Sequence, residues 1–280
     1  MDVQNRLQTS SVAHKAYVDI PMTKLVNEKV HGKPVDAATV ILVRECNGEL
    51  ETLLLCRGKS RTVMNNAWVF PGGKLDSIDI DQSNLTQQRL NTQAQALLNE
   101  PDLSTMTAGA LFHCACRETH EETSVQLQPE DLQTWSRWIT PNEPSMMKKR
   151  FDARFFVAAM PDDQTAIHDG SEATDSQWCT PANALQKYVE NTLVLAPPQI
   201  MSLLALTNLN TIEKCLQHAI DTPAYTIQPM VIKTEQSRTL IYPGDKDHND
   251  QYQQMPGPTR LVWIDNHFEP PGGFDQYLGS

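Results

Sequence analysis

Residues 1 to about 34 mix polar and apolar positions without a sustained period, and Pro34 closes this lead-in. The first strong pattern is Ala37-Ala38-Thr39-Val40-Ile41-Leu42-Val43, a short apolar run rich in β-branched residues. Asn47-Gly48 and then Thr52-Leu53-Leu54-Leu55 follow, so the segment predicts a hairpin with both strands largely buried. Trp68-Val69-Phe70 predicts a further strand, broken by Pro71-Gly72-Gly73, a turn that lets backbone approach a ligand closely. From about Ser77 to Thr107 the composition turns to Gln, Asn, Asp, Ser and Thr, and this stretch reads as an insertion carrying a short helix from Gln87 to Leu98. From Ala108 to Thr123, Leu111, Ala115 and Thr119 mark one mildly apolar side while acids gather on another, the pattern of a partly buried helix.

Downstream, Arg154-Phe155-Phe156-Val157-Ala158-Ala159 predicts a strand ended by Met160-Pro161. Ser176-Gln177-Trp178 precedes Thr180-Pro181, where Thr180 suits an N-cap and Pro181 a first helical residue, giving a helix to about Val189. Pro197-Pro198 opens another helix to about Leu206, and Asn210-Thr211-Ile212-Glu213 has the shape of a capping box starting one more. Met230-Val231-Ile232, Thr239-Leu240-Ile241-Tyr242 and Arg260-Leu261-Val262-Trp263-Ile264 are strand candidates separated by turns such as Pro243-Gly244-Asp245. The order is mixed α and β, with no internal repeat and no compelling second domain, although the helices after Thr180 could form a lobe.

A length of 280 residues suits one large domain or a core with an appended lobe. Hydrophobic residues at 40% and charged residues at 20% give a soluble globular profile. The formal net charge of −11 disfavours nucleic acid and anionic membrane as partners, so a polyanionic ligand must be met locally by clustered Arg/Lys or by metal ions. The six cysteines lack C-x-x-C spacing, which favours a reducing compartment. Cys114 and Cys116 beside His113 and His120 make a poor zinc site, because residues two apart on a helix point to different sides. No signal-peptide core and no membrane-span-length apolar run is present, so a soluble, cytoplasmic protein is expected.

The chemistry gathers in Arg117-Glu118-Thr119-His120-Glu121-Glu122. Its three carboxylates stand at i, i+3 and i+4, within about one quadrant of a helix, and they repel one another unless a cation sits among them. Hard oxygen ligands suit Mg²⁺ or Mn²⁺, which keep several waters and are shared with substrate phosphates. Arg117, four residues before Glu121, can pair with it. The plainer alternative is a solvated helix face.

Phe70-Pro71-Gly72-Gly73, followed by Arg117-Glu118-x-x-Glu121-Glu122 and Val125, resembles the signature of the Nudix hydrolases, in which a glycine-bearing loop leads into a glutamate helix. The resemblance implies an α/β (α+β) fold, a Nudix α/β/α sandwich with a mixed sheet, here with an insertion inside the box and a helical C-terminal elaboration. It implies that Glu121, Glu122 and the Gly72 carbonyl hold the metal, with Glu118 a further ligand or the base acting on water, and Gly73 beside the diphosphate. Two departures stand out. The insertion leaves the family's first glutamate without an aligned counterpart, Asp76 being the nearest acidic substitute, and Ser124 replaces the usual glycine. That replacement is tolerated if the helix end does not need φ > 0.

The divided box resembles the acyl-coenzyme A diphosphatases of the nucleoside-diphosphate-linked moiety X motif 19 type, a likeness running from Ala37-Ala38-Thr39-Val40 through Arg150 to Phe156 and Leu195-Ala196-Pro197-Pro198-Gln199 to Tyr242-Pro243-Gly244-Asp245. It implies metal-dependent cleavage of coenzyme A or acyl-coenzyme A to 3′,5′-ADP and (acyl-)4′-phosphopantetheine. Leu53-Leu54-Leu55-Cys56-Arg57 partly matches a segment of coenzyme A-cleaving relatives, making Arg57 and Arg61 candidates for phosphate contacts. Lys148-Lys149-Arg150 is another basic run, better read as a solvated turn; Glu172 is a possible accessory acid. Trp68 and Phe70 are more readily packing residues than adenine platforms. Other substrates such as ADP-ribose or NADH fit the same box, and a non-catalytic nucleotide-binding module is the rival of another class. The expected organisation is a lead-in at 1–34, the hydrolase domain at 35–265 with its insertion at about 77–107 and helical elaboration at about 180–220, and a tail at 266–280.

Overall fold

The computed structural model describes residues 30–58, 66–85, 88–143, 149–234, 237–253 and 255–278. In chain order they form β1 (Val35–Cys46), β2 (Glu49–Arg57), β3 (Ala67–Val69), β4 (Gly72–Lys74), α1 (Ser77–Leu85), α2 (Gln88–Leu98), α3 (Thr105–Thr123), β5 (Gln133–Ile139), β6 (Phe151–Ala159), β7 (Ala173–Cys179), α4 (Pro181–Val189), β8 (Val194–Leu195), α5 (Pro197–Leu206), α6 (Ile212–Asp221), β9 (Tyr225–Ile227), β10 (Met230–Lys233), β11 (Arg238–Ile241), β12 (Arg260–Ile264), β13 (His267–Glu269) and α7 (Asp275–Leu278).

The principal sheet runs β8-β3-β2-β1-β6-β5-β9, with β4 paired to β1 and β7 to β2. It is mixed: β1 lies parallel to β6 and antiparallel to β2 and β4. Successive side chains of a strand face opposite sides, and both faces of β1 are apolar. Ala38, Val40 and Leu42 pack with Leu111, Cys114 and Ala115 of α3, while Ile41 and Val43 pack with Ile200, Leu203 and Leu204 of α5. A continuous apolar run therefore becomes a strand covered on both sides, and the expected α/β/α sandwich results.

The helices after Thr180 are that second covering layer rather than a separate lobe. Thr180 caps α4 as its sequence indicates, its hydroxyl accepting from Asn183 N at 3.2 Å. At α6 the cap is Thr211, one residue later than the pattern at Asn210 suggests; its hydroxyl accepts from Lys214 N at 3.2 Å, and Glu45 of β1 accepts from Ile212 N at 2.9 Å. The last strands form a four-stranded antiparallel sheet, β10-β11-β12-β13. β13 pairs with β12 across residues 265 and 266, and Phe268 and Phe274 reach the core that Leu185 and Tyr188 share, so the chain beyond 265 continues the fold.

Two elements escape hydrophobic periodicity for physical reasons. α1 turns polar Asp79 and Ser83 inward, and Ser83 Oγ donates to the Met106 carbonyl at 2.8 Å. In β5 a register shift between Thr134 and Ser136 breaks the alternation that would have displayed Trp135 and Trp138 as a strand pattern. The end of α3 also differs from expectation: Ser124 is its C-cap at φ 61°, a left-handed conformation that favours glycine, so the departure there is strained by about 1 kcal/mol.

Candidate active site

The glycine turn and the glutamate helix meet because β4 hydrogen-bonds alongside β1 while α3 packs behind the same strand. Thr39 lies opposite Gly72 and Ala38 opposite Gly73 in that pairing. Gly72 has φ +155°, and a Cβ there would lie 2.4 Å from the Ala38 carbonyl oxygen. A Cβ on Gly73 would lie 2.3 Å from the Glu118 carboxylate. Both glycines are thus required by close approach, the first to the sheet and the second to the helix. Gly72 N donates to Glu122 Oε2 at 2.9 Å, which fixes that carboxylate against the turn.

Arg117 organises the remaining acids. Its Nη1 donates to Glu118 Oε1 at 2.9 Å and to Glu121 Oε2 at 3.0 Å, and its Nη2 to the Lys74 carbonyl at 3.1 Å. Nε and Nη2 form a two-pronged pair with Asp79, each at 2.9 Å. Asp79, buried at the start of α1, is the acid partner of this arginine; Asp76 is not. Asp76 caps α1, its carboxylate accepting from Ser77 Oγ at 3.0 Å while its own N–H donates to Asp79 Oδ2 at 2.9 Å. The sequence signal for Asp79 was the Asp76-x-x-Asp79 pair at a helix start, visible only once α1 is known to be a helix.

Burial raises the Glu122 carboxyl to about 7, against the opposing Gly72 hydrogen bond, with the charges of Glu118 and Glu172 adding to the rise and Arg57 opposing it. Burial also raises Glu118, which its bond from Arg117 offsets in part. Glu121 is the outermost of the three, with 57% of its side chain exposed.

These groups line a cleft of ≈ 760 Å³ that also takes in Arg57, Glu172, Gly72, Gly73 and Asp76. The same cleft has an apolar lining supplied by Trp138, Phe151, Phe155, Pro197, Pro198 and Leu240. Arg57 and Glu172 are therefore brought to the glutamate helix, whereas Arg61 and Lys148 lie outside the described residues. Arg150 is structural, donating to the carbonyls of Thr140 at 2.9 Å and Gly32 at 3.0 Å. Phe70 is a core residue, edge-on to Phe155 at 6.4 Å between ring centroids, and Trp68 packs against the same core.

The family model described as the NUDT19 Nudix domain matches residues 125–206. The acyl-coenzyme A diphosphatase NUDT19 of Xenopus laevis is 24% identical over 283 residues, covering 75% of this chain and 73% of that protein. Its Homo sapiens counterpart is 28% identical over 119 residues, covering 41% of this chain and 31% of that protein. The chain is a Nudix hydrolase. The matched family model and these relatives support its place in the NUDT19 branch. The Nudix fold is shared with a crystal structure of a NUDIX hydrolase from Alicyclobacillus acidocaldarius, at a TM-score of 0.54 and 20% identity, covering 67% of this chain and 97% of the other. Among the described residues of this Nudix hydrolase, no helix is long and apolar enough to cross a membrane.

Nudix hydrolases generally use divalent metal ions, and the donor chemistry fits one here. All candidate ligands are oxygens, and burial and mutual repulsion hold Glu118 and Glu122 above the ordinary carboxylate range, an imbalance that a cation would relieve. Among the described residues no three acidic, His or Cys side chains already close around one point.

Proposed function

We propose that this Nudix hydrolase cleaves the diphosphate of coenzyme A or acyl-coenzyme A, releasing 3′,5′-ADP and (acyl-)4′-phosphopantetheine. The observation that carries the reading is a single cleft lined both by the glutamate helix and glycine turn and by a set of apolar side chains. A substrate in which a diphosphate joins a polar nucleotide to a long arm matches that mixed lining, and the names of the relatives support the same class.

Glu118, Glu121, Glu122 and the Gly72 carbonyl would hold Mg²⁺ or Mn²⁺. When bound, the metal neutralises the diphosphate and acidifies water. Arg117 holds Glu118 and Glu121 in register, and Glu122 is set by Gly72 N–H. With Glu118 Oε1 engaged by Arg117, Oε2 is the atom left either to hold the metal or to accept the proton of the attacking water. Gly73 lets the substrate's diphosphate and Glu118 approach together, and Arg57 faces the phosphate oxygens, with Arg61 as its proposed companion.

The test is product analysis after incubation with Mg²⁺ or Mn²⁺ and, separately, coenzyme A, an acyl-coenzyme A, ADP-ribose and NADH, with Glu122→Gln as control. Metal-dependent release of 3′,5′-ADP, lost in the variant, is the expected result. Turnover of the other substrates alone overturns the coenzyme A assignment, and no turnover of any overturns hydrolysis itself.

A further inference from the structure

Three buried side-chain atoms among the described residues have no hydrogen-bond partner: Gln199 Oε1, Ser202 Oγ and the Tyr242 hydroxyl. Only Gln199 also lines the cleft. It is 7% exposed, and leaving a buried amide acceptor unpaired is costly unless a ligand completes it. Ser202, about one turn further along α5, and Tyr242, edge-on to Trp138 at 6.0 Å, do not line it.

The local backbone narrows what that ligand group is. Gln199 is the third residue of α5, after Pro197 and Pro198. A helix start ordinarily offers several free N–H groups to an anion, but two prolines remove two of them. Trp138, Phe155 and Leu240 line the same chamber and supply no charge. A neutral polar group set in an apolar chain fits these surroundings, and a phosphate does not. The position also opens on the same cleft as Gly72, Gly73 and the glutamates.

We infer that the apolar lining of the cleft around Gln199 is a subsite for an amide-bearing arm of the substrate, with Gln199 as the residue that reads the amide. A secondary amide presents N–H and C=O together, and a glutamine side chain complements both. The inference rests on the coenzyme A reading, since the pantetheine arm carries two such amides, and makes Gln199 a specificity determinant rather than a catalytic residue.

The experiment compares wild type with Gln199→Met, which keeps the side chain's length and removes its polar atoms. KM and kcat are measured on coenzyme A and on an analogue whose pantetheine is replaced by a simple alkyl chain, and binding of free pantetheine is followed by calorimetry. Losing one buried hydrogen bond raises KM for coenzyme A about 10-fold, with the loss falling on KM rather than kcat. The alkyl analogue shows no such penalty, and pantetheine binds the variant about 10-fold more weakly. Equal KM shifts for both substrates, or equal pantetheine affinity in the two proteins, overturns the inference. Since the unpaired amide contributes nothing to the fold, the variant should melt no lower than wild type, which excludes misfolding as the cause. If wild type does not cleave coenzyme A the proposed reaction fails, while pantetheine binding still decides the amide subsite by itself.

Discussion

Among the described residues, the arginine-centred acid clusters around Arg154 and around Arg117 are balanced differently. Arg154, with 2% of its side chain exposed, donates to both oxygens of Glu100 at 2.9 and 2.7 Å and also pairs with Asp36 and Asp152. Arg137 joins it, reaching Asp152 at 2.6 Å and Glu100 at 2.9 Å, so two guanidiniums meet three carboxylates. That knot ties β1, β5 and β6 to the loop after α2, and so fastens the inserted segment to the sheet. Around Arg117 a single guanidinium meets Asp79, Glu118 and Glu121, and Glu122 is left to a backbone N–H. The first cluster is one negative charge from neutral and buried around Arg154 and Glu100, as a staple should be. The second is left anionic beside a cleft, as a cation site should be.

Removing charge from each cluster should therefore hurt different properties. The largest effect is expected from Glu122→Gln, which lowers kcat by on the order of 10³–10⁴ because charge stabilisation by a bound metal is worth several kcal/mol, while far-UV circular dichroism stays native. A loss below tenfold would remove Glu122 from the metal-holding set. Arg154→Met is next: it strands Glu100 in the interior and costs about 3 kcal/mol in urea unfolding, the low end for a broken buried pair because Arg137 remains. If the variant keeps wild-type stability, the knot is not what fastens the insertion. Asp79→Asn stands between the two clusters in kind. It frees Arg117 to turn towards the glutamates, and metal affinity or kcat falls about 10- to 100-fold, as for a lost supporting partner of a ligand shell. An isothermal metal titration that gives the wild-type constant would confine Asp79 to capping α1.

The contrast between the clusters also explains what could be read from the chain. Glu118, Glu121 and Glu122 were legible because helical spacing alone puts them together, and the hairpin and α5 were legible because apolar runs and prolines mark them. Asp79 was not, since its role depends on α1, a helix whose inward face is polar and carries no apolar period. The Arg154 knot was invisible for a related reason: Asp36 lies 118 residues before Arg154 and meets it through the parallel pairing of β1 with β6, while Glu100, 54 residues before Arg154, is brought in by the loop after α2. Gln199 carried no local signal as a binding residue, because its significance lies in the partner it lacks. Side chains marked by one element's own pattern were readable, and Asp79, Arg154 and Gln199, whose roles depend on the meeting of elements, were not.

The smallest effect separates the clusters without any substrate. In the metal-free protein burial raises the Glu122 carboxyl from 4.5 to about 7, so the folded state holds that proton more tightly than the unfolded chain does. Its stabilising contribution is complete below about pH 4.5 and is lost as pH rises through about 7. Glutamine imitates the protonated form at every pH. Wild type and Glu122→Gln should melt alike near pH 4.5, and by pH 8 the metal-free variant should be the more stable by on the order of 1 kcal/mol, less than the full shift because cleft water screens the carboxylate. Saturating Mg²⁺ at pH 8 then raises the melting temperature of wild type more than that of the variant, which keeps Glu118, Glu121 and the Gly72 carbonyl but has lost one charged ligand. A variant less stable than wild type at pH 8 without metal would mean that Glu122 is a structural acid held by Gly72 N–H, and the second cluster would then be a staple like the first.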